Sequence, residues 1–174
     1  MENLREVLNN LSESDFTKGK VNLHIHTSCS DGIGDYKQVV SAAKEKGYQY
    51  ISITDHNTIE AHKNIQDDIL ITGAEFDCWF GYVFIHLLAY GFDINNEKLQ
   101  PFLAKTKTET EGVLIRLLPK RNVRKLIEAI HEAGGIAVLA HPACYWALSL
   151  NKLINDLIKI GLDGIETRVS KIAF

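Results

Sequence analysis

Residues 21–32, VNLHIHTSCSDG, constrain this chain more than any other stretch, because they set two histidines and an acid where a short strand runs into a loop. In an extended strand alternate side chains share a face, so His24 and His26 project one way while Leu23 and Ile25 project the other. Residues 27–32 are small, polar and closed by glycine, which predicts a loop that carries Asp31 only a few residues past the histidines. Two imidazoles and a carboxylate so spaced make half a metal site. The competing reading is a surface strand with incidental histidines, and the rest of the chain decides between them.

Composition sets the frame for that decision. The 174 residues, 45% of them hydrophobic, are enough for one sizeable core and contain no repeat or low-complexity linker, so a single domain over 1–174 is expected. No apolar run approaches the roughly 20 residues that span a bilayer. The opening MENLREVLNNLSESDF lacks the apolar core of a signal peptide, so a cytoplasmic location is expected, with no membrane partner. Three widely spaced cysteines, Cys29, Cys78 and Cys144, suit reduced thiols better than a disulfide framework. The formal charge of −3 argues against nucleic-acid coating by the whole surface, yet residues 98–125 carry eight Lys/Arg against two acids. Such a segment could hold a phosphorylated substrate, with Arg116, Lys120, Arg121 and Arg124 as the contacts, or could be a solvated helix face.

In chain order, Leu4, Val7, Leu8 and Leu11 fall at helical spacing and predict a short helix over 2–11. The strand at 21–26 leads to a helix over 36–46, capped by Asp35, with Val39, Val40 and Ala43 facing inward and Gly47 as its stop. A strand over 50–54 leads into the turn Asp55-His56-Asn57, followed by a short helix over 58–66. Next come a strand over 69–72 ending in Gly73-Ala74-Glu75-Phe76 and a strand over 82–90 with His86 near its middle. Residues 93–119 read as a short lid or insertion. Pro119 introduces a helix over 122–133, with Val123, Leu126, Ile127 and Ile130 on one face and Gly134-Gly135 at its end. A strand over 136–140 runs into His141-Pro142, a helix over 150–159 stops at Gly161, and 164–166 begin a last strand.

This alternation predicts an α/β fold with parallel strands. Nearly every strand ends in a potential ligand: His24 and His26, His56, Glu75, His141 and Glu166, with His86 inside its strand. The C-terminal strand ends of parallel α/β folds share one face, so residues scattered in sequence would be neighbours in space. His62 and His131 fall outside the pattern and are expected on solvated helix faces.

With these residues in view, the chain resembles the PHP family, the polymerase and histidinol phosphatase domain of metal-dependent phosphoesterases. The resemblance runs over a core of 21–166 and rests on HIHTSCSDG, ITDHNT, GAEF, the His86 strand, EAIHEAGGIAVLAHP and GLDGIE in that order. It implies a distorted (β/α)7 barrel, a cleft holding up to three Zn, Mn or Fe ions, and hydrolysis of phosphate esters by a metal-bound hydroxide. Carried over by position, His24 and His26 would bind a first ion, and Glu75 would bridge it to a second held by His86 and His141. Asp31 and His56 would belong to a third. Imidazoles and carboxylates suit borderline divalent ions, and a bridging carboxylate sets two of them about 3.5–4 Å apart. Asp55 is read as an acid that orients its neighbours rather than a ligand.

The resemblance also implies a further strand ending in Gly-Ser-Asp-x-His, whose Asp and His complete the first and third sites. Residues 167–174 contain neither an Asp nor a His, so the chain reads as lacking the last strand and helix, with only the Glu75, His86 and His141 set complete. A second chain supplying that motif is one expectation, and a non-catalytic metal-binding remnant is another. Within the enzyme reading, nucleotides or short oligonucleotides are the expected substrates. The compact 93–119 segment keeps a histidinol phosphatase-like activity on small phosphorylated molecules open as the alternative.

Overall fold

The computed structural model describes residues 6–7, 10–118 and 121–166, so Lys120, most of the helix expected over 2–11 and the segment 167–174 lie outside the described residues. Helix α1 (Glu13–Thr17) leads into strand β1 (Val21–Ile25), followed by α2 (Tyr36–Glu45), β2 (Tyr50–Ile53), α3 (Glu60–Asn64) and β3 (Leu70–Ile71). Strands β4 (Gly73–Phe80) and β5 (Val83–Tyr90) come next, then the short helices α4 (Thr108–Glu111) and α5 (Val113–Arg116). Helix α6 (Val123–Glu132), β6 (Ile136–Leu139), α7 (Leu150–Lys159) and β7 (Gly164–Ile165) complete the order. Residues 93–118 thus form no long helix but two four-residue helices and a 3-10 turn at Gln100–Phe102.

The longer helices begin where polar side chains take up orphan backbone donors. Asp35 accepts from Lys37 N at 2.8 Å, Asn122 from Lys125 N at 3.0 Å and Ser149 from Lys152 N at 3.3 Å. Their apolar stripes then fix the layers. Val39, Val40 and Ala43 of α2 pack on Ile25, Ile51 and Ile53, while Leu126, Ile127 and Ile130 of α6 and Leu153 and Leu157 of α7 pack on Phe76, Ile85, Leu87 and Leu139.

Among the described residues seven strands form a mixed α/β fold, but not the all-parallel arrangement expected. β1, β2 and β3 make a parallel sheet, whereas β4, β5 and β6 run antiparallel and only β7 is parallel to its neighbour. The departure has a local cause. The GAEF segment does not end the preceding strand but opens an eight-residue strand, and Gly81-Tyr82 then turns the chain straight back, pairing Phe80 with Val83. Gly81 has φ +62°, which suits the first position of a two-residue hairpin loop.

The expected barrel is not closed among the described residues. An isolated bridge between His56 and Glu75 links the sheets where β2 stops and β4 starts. A smaller apolar cluster of Leu88, Tyr90, Ile136 and Ala140, with Leu23, Ile71 and Val138 against it, fills the space between the two sheets. Between β1 and β7 side chains make the link instead of a ladder, with Glu166 Oε1 3.0 Å from His24 Nδ1.

Strand β1 also departs from simple alternation. Leu23 joins the inter-sheet cluster while Ile25 packs on the α2 side, because the β1–β2 register shifts between Asn22 and Ile25. An irregularity of this kind bends a strand and re-aims its side chains, here at the residues flanking His24. His62 is a second correction. It is buried, with Nε2 2.8 Å from Ile53 O and 3.1 Å from Gly73 N, so it spans β2 and β4 rather than facing water. His131 does lie on an exposed face, paired with Asp163 at 2.7 Å. Among the described residues no helix is long and apolar enough to cross a membrane.

Candidate metal centre

The centre is built around Glu75, whose carboxylate is buried to 1% exposure between the two sheets. Its Oε2 lies 3.2 Å from His24 Nε2, 3.1 Å from His26 Nε2 and 3.2 Å from His56 Nε2. Its Oε1 lies 3.0 Å from His86 Nδ1 and 3.2 Å from His141 Nε2. One carboxylate therefore divides five imidazoles, three on one oxygen and two on the other. Asp31 stands at the edge, 3.4 Å from His26 Nδ1 and 3.6 Å from His56 Nε2. All seven residues expected at the site, His24, His26, Asp31, His56, Glu75, His86 and His141, are thus brought together.

Each element delivers its residue for a local reason. Glu75 reaches the centre because β4 starts beside the end of β2, with Glu75 N on Asp55 O at 3.2 Å and Asn57 N on Glu75 O at 2.7 Å. His86 follows from the hairpin register, which sets it opposite Asp77, two residues past Glu75 on the same face. His141 takes φ +25° just before Pro142, with its N–H held by Glu166 Oε2 at 2.8 Å. A non-glycine residue in that region is strained, and strain of this kind collects at functional sites. Tyr145 Oη accepts from His86 N at 3.0 Å and donates to Ala140 O at 2.6 Å, tying the two histidine-bearing strands.

The loop after β1 is shaped by a different set of contacts. Asp55 accepts from Thr27 N at 2.7 Å, Thr27 Oγ1 at 2.6 Å and Ser30 Oγ at 2.6 Å. Gly32 lies so close to the His26 backbone that a Cβ would overlap the His26 carbonyl, so the loop folds tightly enough to bring Asp31 back over the histidines.

Two acids absent from the expected ligand set belong to the cluster. Glu166 holds His24 and His141 together, and its position at a strand end was a visible signal. Asp77 is fully buried, with Oδ1 3.1 Å from His56 Nδ1 and 3.3 Å from His86 Nε2. Reading 73–80 as a strand would have placed it on the face of Glu75. Of the basic residues expected to meet phosphate, Arg116 reaches the centre, with Nη1 3.1 Å from Asp31 Oδ2. Arg121 does not, since its guanidinium is taken up by Phe102 O at 2.8 Å and Asp77 O at 3.2 Å. Arg124 is exposed on α6, whose buried face is Val123, Leu126, Ile127 and Ile130.

The electrostatics follow from this crowding. Burial opposes protonation of His24, but Glu166 and Glu75 on its two nitrogens outweigh it and raise its pKa to about 10. Burial would raise Glu75, yet the surrounding histidines hold it well below the ordinary carboxylate range. Burial likewise works against ionised Asp77, and His56, His86 and Arg116 overcome it.

Protons alone serve such a set poorly. His24 Nε2 and His26 Nε2 face each other at 3.0 Å, as do His86 Nδ1 and His141 Nε2. Converging nitrogen and oxygen lone pairs of this kind suit borderline divalent cations. Among the described residues four overlapping groups have donors close enough to share an ion: His24, His26 and Glu75; His26, Asp31 and His56; His56, Asp77 and His86; and Glu75, His86 and His141.

A mixed α/β fold with a histidine-rich cluster about a buried carboxylate defines a class, and the sequence assigns the family within it. Residues 22–146 match the PHP domain, and the chain belongs to the PHP domain family. It is 28% identical over 164 aligned positions to an uncharacterized protein of Methanocaldococcus jannaschii, covering 84% of this chain and 80% of that one. It is 25% identical over 219 positions to a 5′-3′ exoribonuclease of Haemophilus influenzae, covering 84% and 78%. Its fold is similar to that of a Bifidobacterium adolescentis protein classed as a metal-dependent phosphoesterase, with a TM-score of 0.66, 21% identity, and 84% and 76% of the two chains covered.

Proposed function

We propose that this chain is a metal-dependent phosphoesterase acting on phosphate esters of nucleotides or short oligonucleotides. The observation that carries the reading is the division of Glu75, with His24, His26 and His56 on one oxygen and His86 and His141 on the other. A carboxylate so shared suits two cations about 3.5–4 Å apart. His24, His26 and Glu75 Oε2 would hold one, and Glu75 Oε1, His86 and His141 the other; Asp31 and His56 would belong to a third. When bound, such ions supply Lewis-acid charge to a phosphate and acidify a water.

The remaining work falls to the chain's own groups. Arg116 brings a buried guanidinium to the edge of the centre, where its planar donors match phosphate oxygens. Glu166 holds the His24 ring and the His141 backbone, Tyr145 holds the His86 backbone, and Asp55 keeps the Asp31 loop in place. The Haemophilus influenzae exoribonuclease likeness supports nucleotide substrates.

The test is protein stripped of metal, reloaded with Mn2+ or Zn2+, and assayed on phosphomonoesters and 5′-phosphorylated oligonucleotides. Metal-dependent release of mononucleotides from the oligonucleotides is the expected result. Hydrolysis confined to small phosphomonoesters would overturn the substrate assignment, and a metal-loaded protein that cleaves neither would overturn the reading.

A further inference from the structure

The reading above leaves Asp77 without a role, although it is the most deeply placed acid beside the cluster. The β4–β5 ladder pairs it directly with His86, and alternation puts it on the face of Glu75. The two carboxylates therefore flank the same imidazoles from opposite sides. Glu75 meets His56 through Nε2 at 3.2 Å and His86 through Nδ1 at 3.0 Å. Asp77 Oδ1 meets the far nitrogen of each ring, His56 Nδ1 at 3.1 Å and His86 Nε2 at 3.3 Å. The other oxygen is already engaged: Asn57 Nδ2 donates to Oδ2, and Arg116 Nε lies 3.6 Å from it. Asn57 Oδ1 also accepts from Asp77 N at 3.0 Å, so the residue is clamped while its Oδ1 faces the two rings.

Neither ring contact is an aligned hydrogen bond, although both are short. His56 Nδ1 and Asp77 Oδ1 are buried with no well-directed partner. Leaving a buried donor and acceptor unsatisfied costs free energy, and a change of ring tautomer or a small rotation would satisfy both. An imidazole that coordinates through one nitrogen presents N–H at the other, where an outer carboxylate fixes its orientation and strengthens it as a ligand.

We propose that Asp77 is a positioning residue that accepts from His56 Nδ1–H and His86 Nε2–H through one oxygen. This leaves His56 Nε2 and His86 Nδ1 as the lone pairs aimed at the Glu75 side. In the assignment proposed above His86 goes with the second ion and His56 with the third, so one carboxylate oxygen couples the loading of the two. The inference rests on the metal reading proposed above and adds a residue that reading does not require.

The experiment compares Asp77→Asn with the parent protein, each stripped of metal and titrated with Zn2+ by calorimetry, with bound zinc counted by elemental analysis. The variant keeps the size of the side chain and loses its charge. The expected result is unchanged stoichiometry at saturating zinc, with affinity lowered about 10–100-fold at more than one site, the usual effect of removing an outer partner of metal-bound histidine. Nitrogen-15 spectra of the zinc-loaded parent supply a measurement that needs no variant, and they should place the proton of His56 on Nδ1 and that of His86 on Nε2.

A variant that loses one zinc while the others bind as before would make Asp77 a ligand in its own right and overturn the inference. Equal affinities in variant and parent, or the opposite tautomers, would also overturn it while leaving the metal reading intact. A parent that takes up no divalent ion would overturn both.

Discussion

The two sheets supply the centre in different ways. The parallel sheet contributes His24, His26, Asp31 and His56 from the end of β1 and from loops beyond β1 and β2. Those loops are held by side chains, chiefly Asp55 with its three bonds to Thr27 and Ser30. The mixed sheet contributes Glu75, Asp77 and His86 from inside a hairpin, where backbone register fixes each position without help from a loop. Loop-borne groups depend on a few polar contacts and can move separately, whereas ladder-borne groups move only if the strands unpair. The centre is therefore half preset and half adjustable, and Glu75 belongs to both halves through its two oxygens.

The most direct way to break this comparison is to remove the shared group. Glu75→Gln should abolish metal uptake on both sides and lower phosphoesterase activity by at least about a hundredfold, as small displacements at a reacting centre already do. Elemental analysis on folded variant would check it; loss of metal from one side only would mean that Glu75 is not shared. A loop-side substitution should behave otherwise. In Gly32→Ala the new Cβ overlaps the backbone of His26, which cannot yield as a flexible side chain could. We expect a stability loss of about 3 kcal/mol, the upper end for overpacking, with metal lost from the side of His26, Asp31 and His56 and retained at Glu75, His86 and His141. Denaturant unfolding together with metal counting would reveal an equal loss from both groups, which would erase the distinction between the sheets.

The same contrast explains what could be read from sequence. His24, His26 and His56 were legible because strand alternation and the strand-end rule act over a few residues. The helices over α2, α6 and α7 were legible because cap, apolar stripe and stop lie within one segment. The orientation of β4 was not, because GAEF reads as the end of a short strand and only the pairing across Gly81-Tyr82 shows the chain turning back. Asp77 was missed with it, since its value appears only when 73–80 is extended and paired with 83–90. His62 read as solvated because its helix is short and polar, and only the crossing of β2 and β4 buries it.

A smaller effect is expected from Asp55→Asn. The amide oxygen can still accept from Thr27 N and Ser30 Oγ, but as a neutral and weaker acceptor, and the NH2 group would face the Thr27 hydroxyl that now donates to the other carboxylate oxygen. Losing hydrogen bonds to a charged group should cost roughly 1.5–3 kcal/mol. Because the Thr27–Ser30 loop carries Asp31 and borders His26, the Michaelis constant for a phosphate ester should rise while zinc at Glu75, His86 and His141 is retained. Unchanged stability would show that Asp55 does not hold the loop.

The smallest effect concerns pH and the joint between the sheets. Burial lowers the pKa of His62 from its ordinary 6.5, because the charged ring would lose solvation between β2 and β4, an effect its contacts to Ile53 O and Gly73 N only partly offset. The unfolded chain therefore takes up this proton at a higher pH than the folded one. The contribution of neutral His62 to stability is then complete above pH 6.5 and is lost as pH falls from 6.5 through the lowered folded value. The centre's own histidines titrate as well, so the quantity to measure is a difference: urea unfolding of the parent minus that of His62→Gln, each in excess EDTA, from pH 8 down to about pH 5. The parent's advantage should be greatest at the alkaline end and shrink on acidification. An advantage independent of pH would mean that the ring has the same pKa folded and unfolded, and one that grows on acidification would mean that burial does not govern His62.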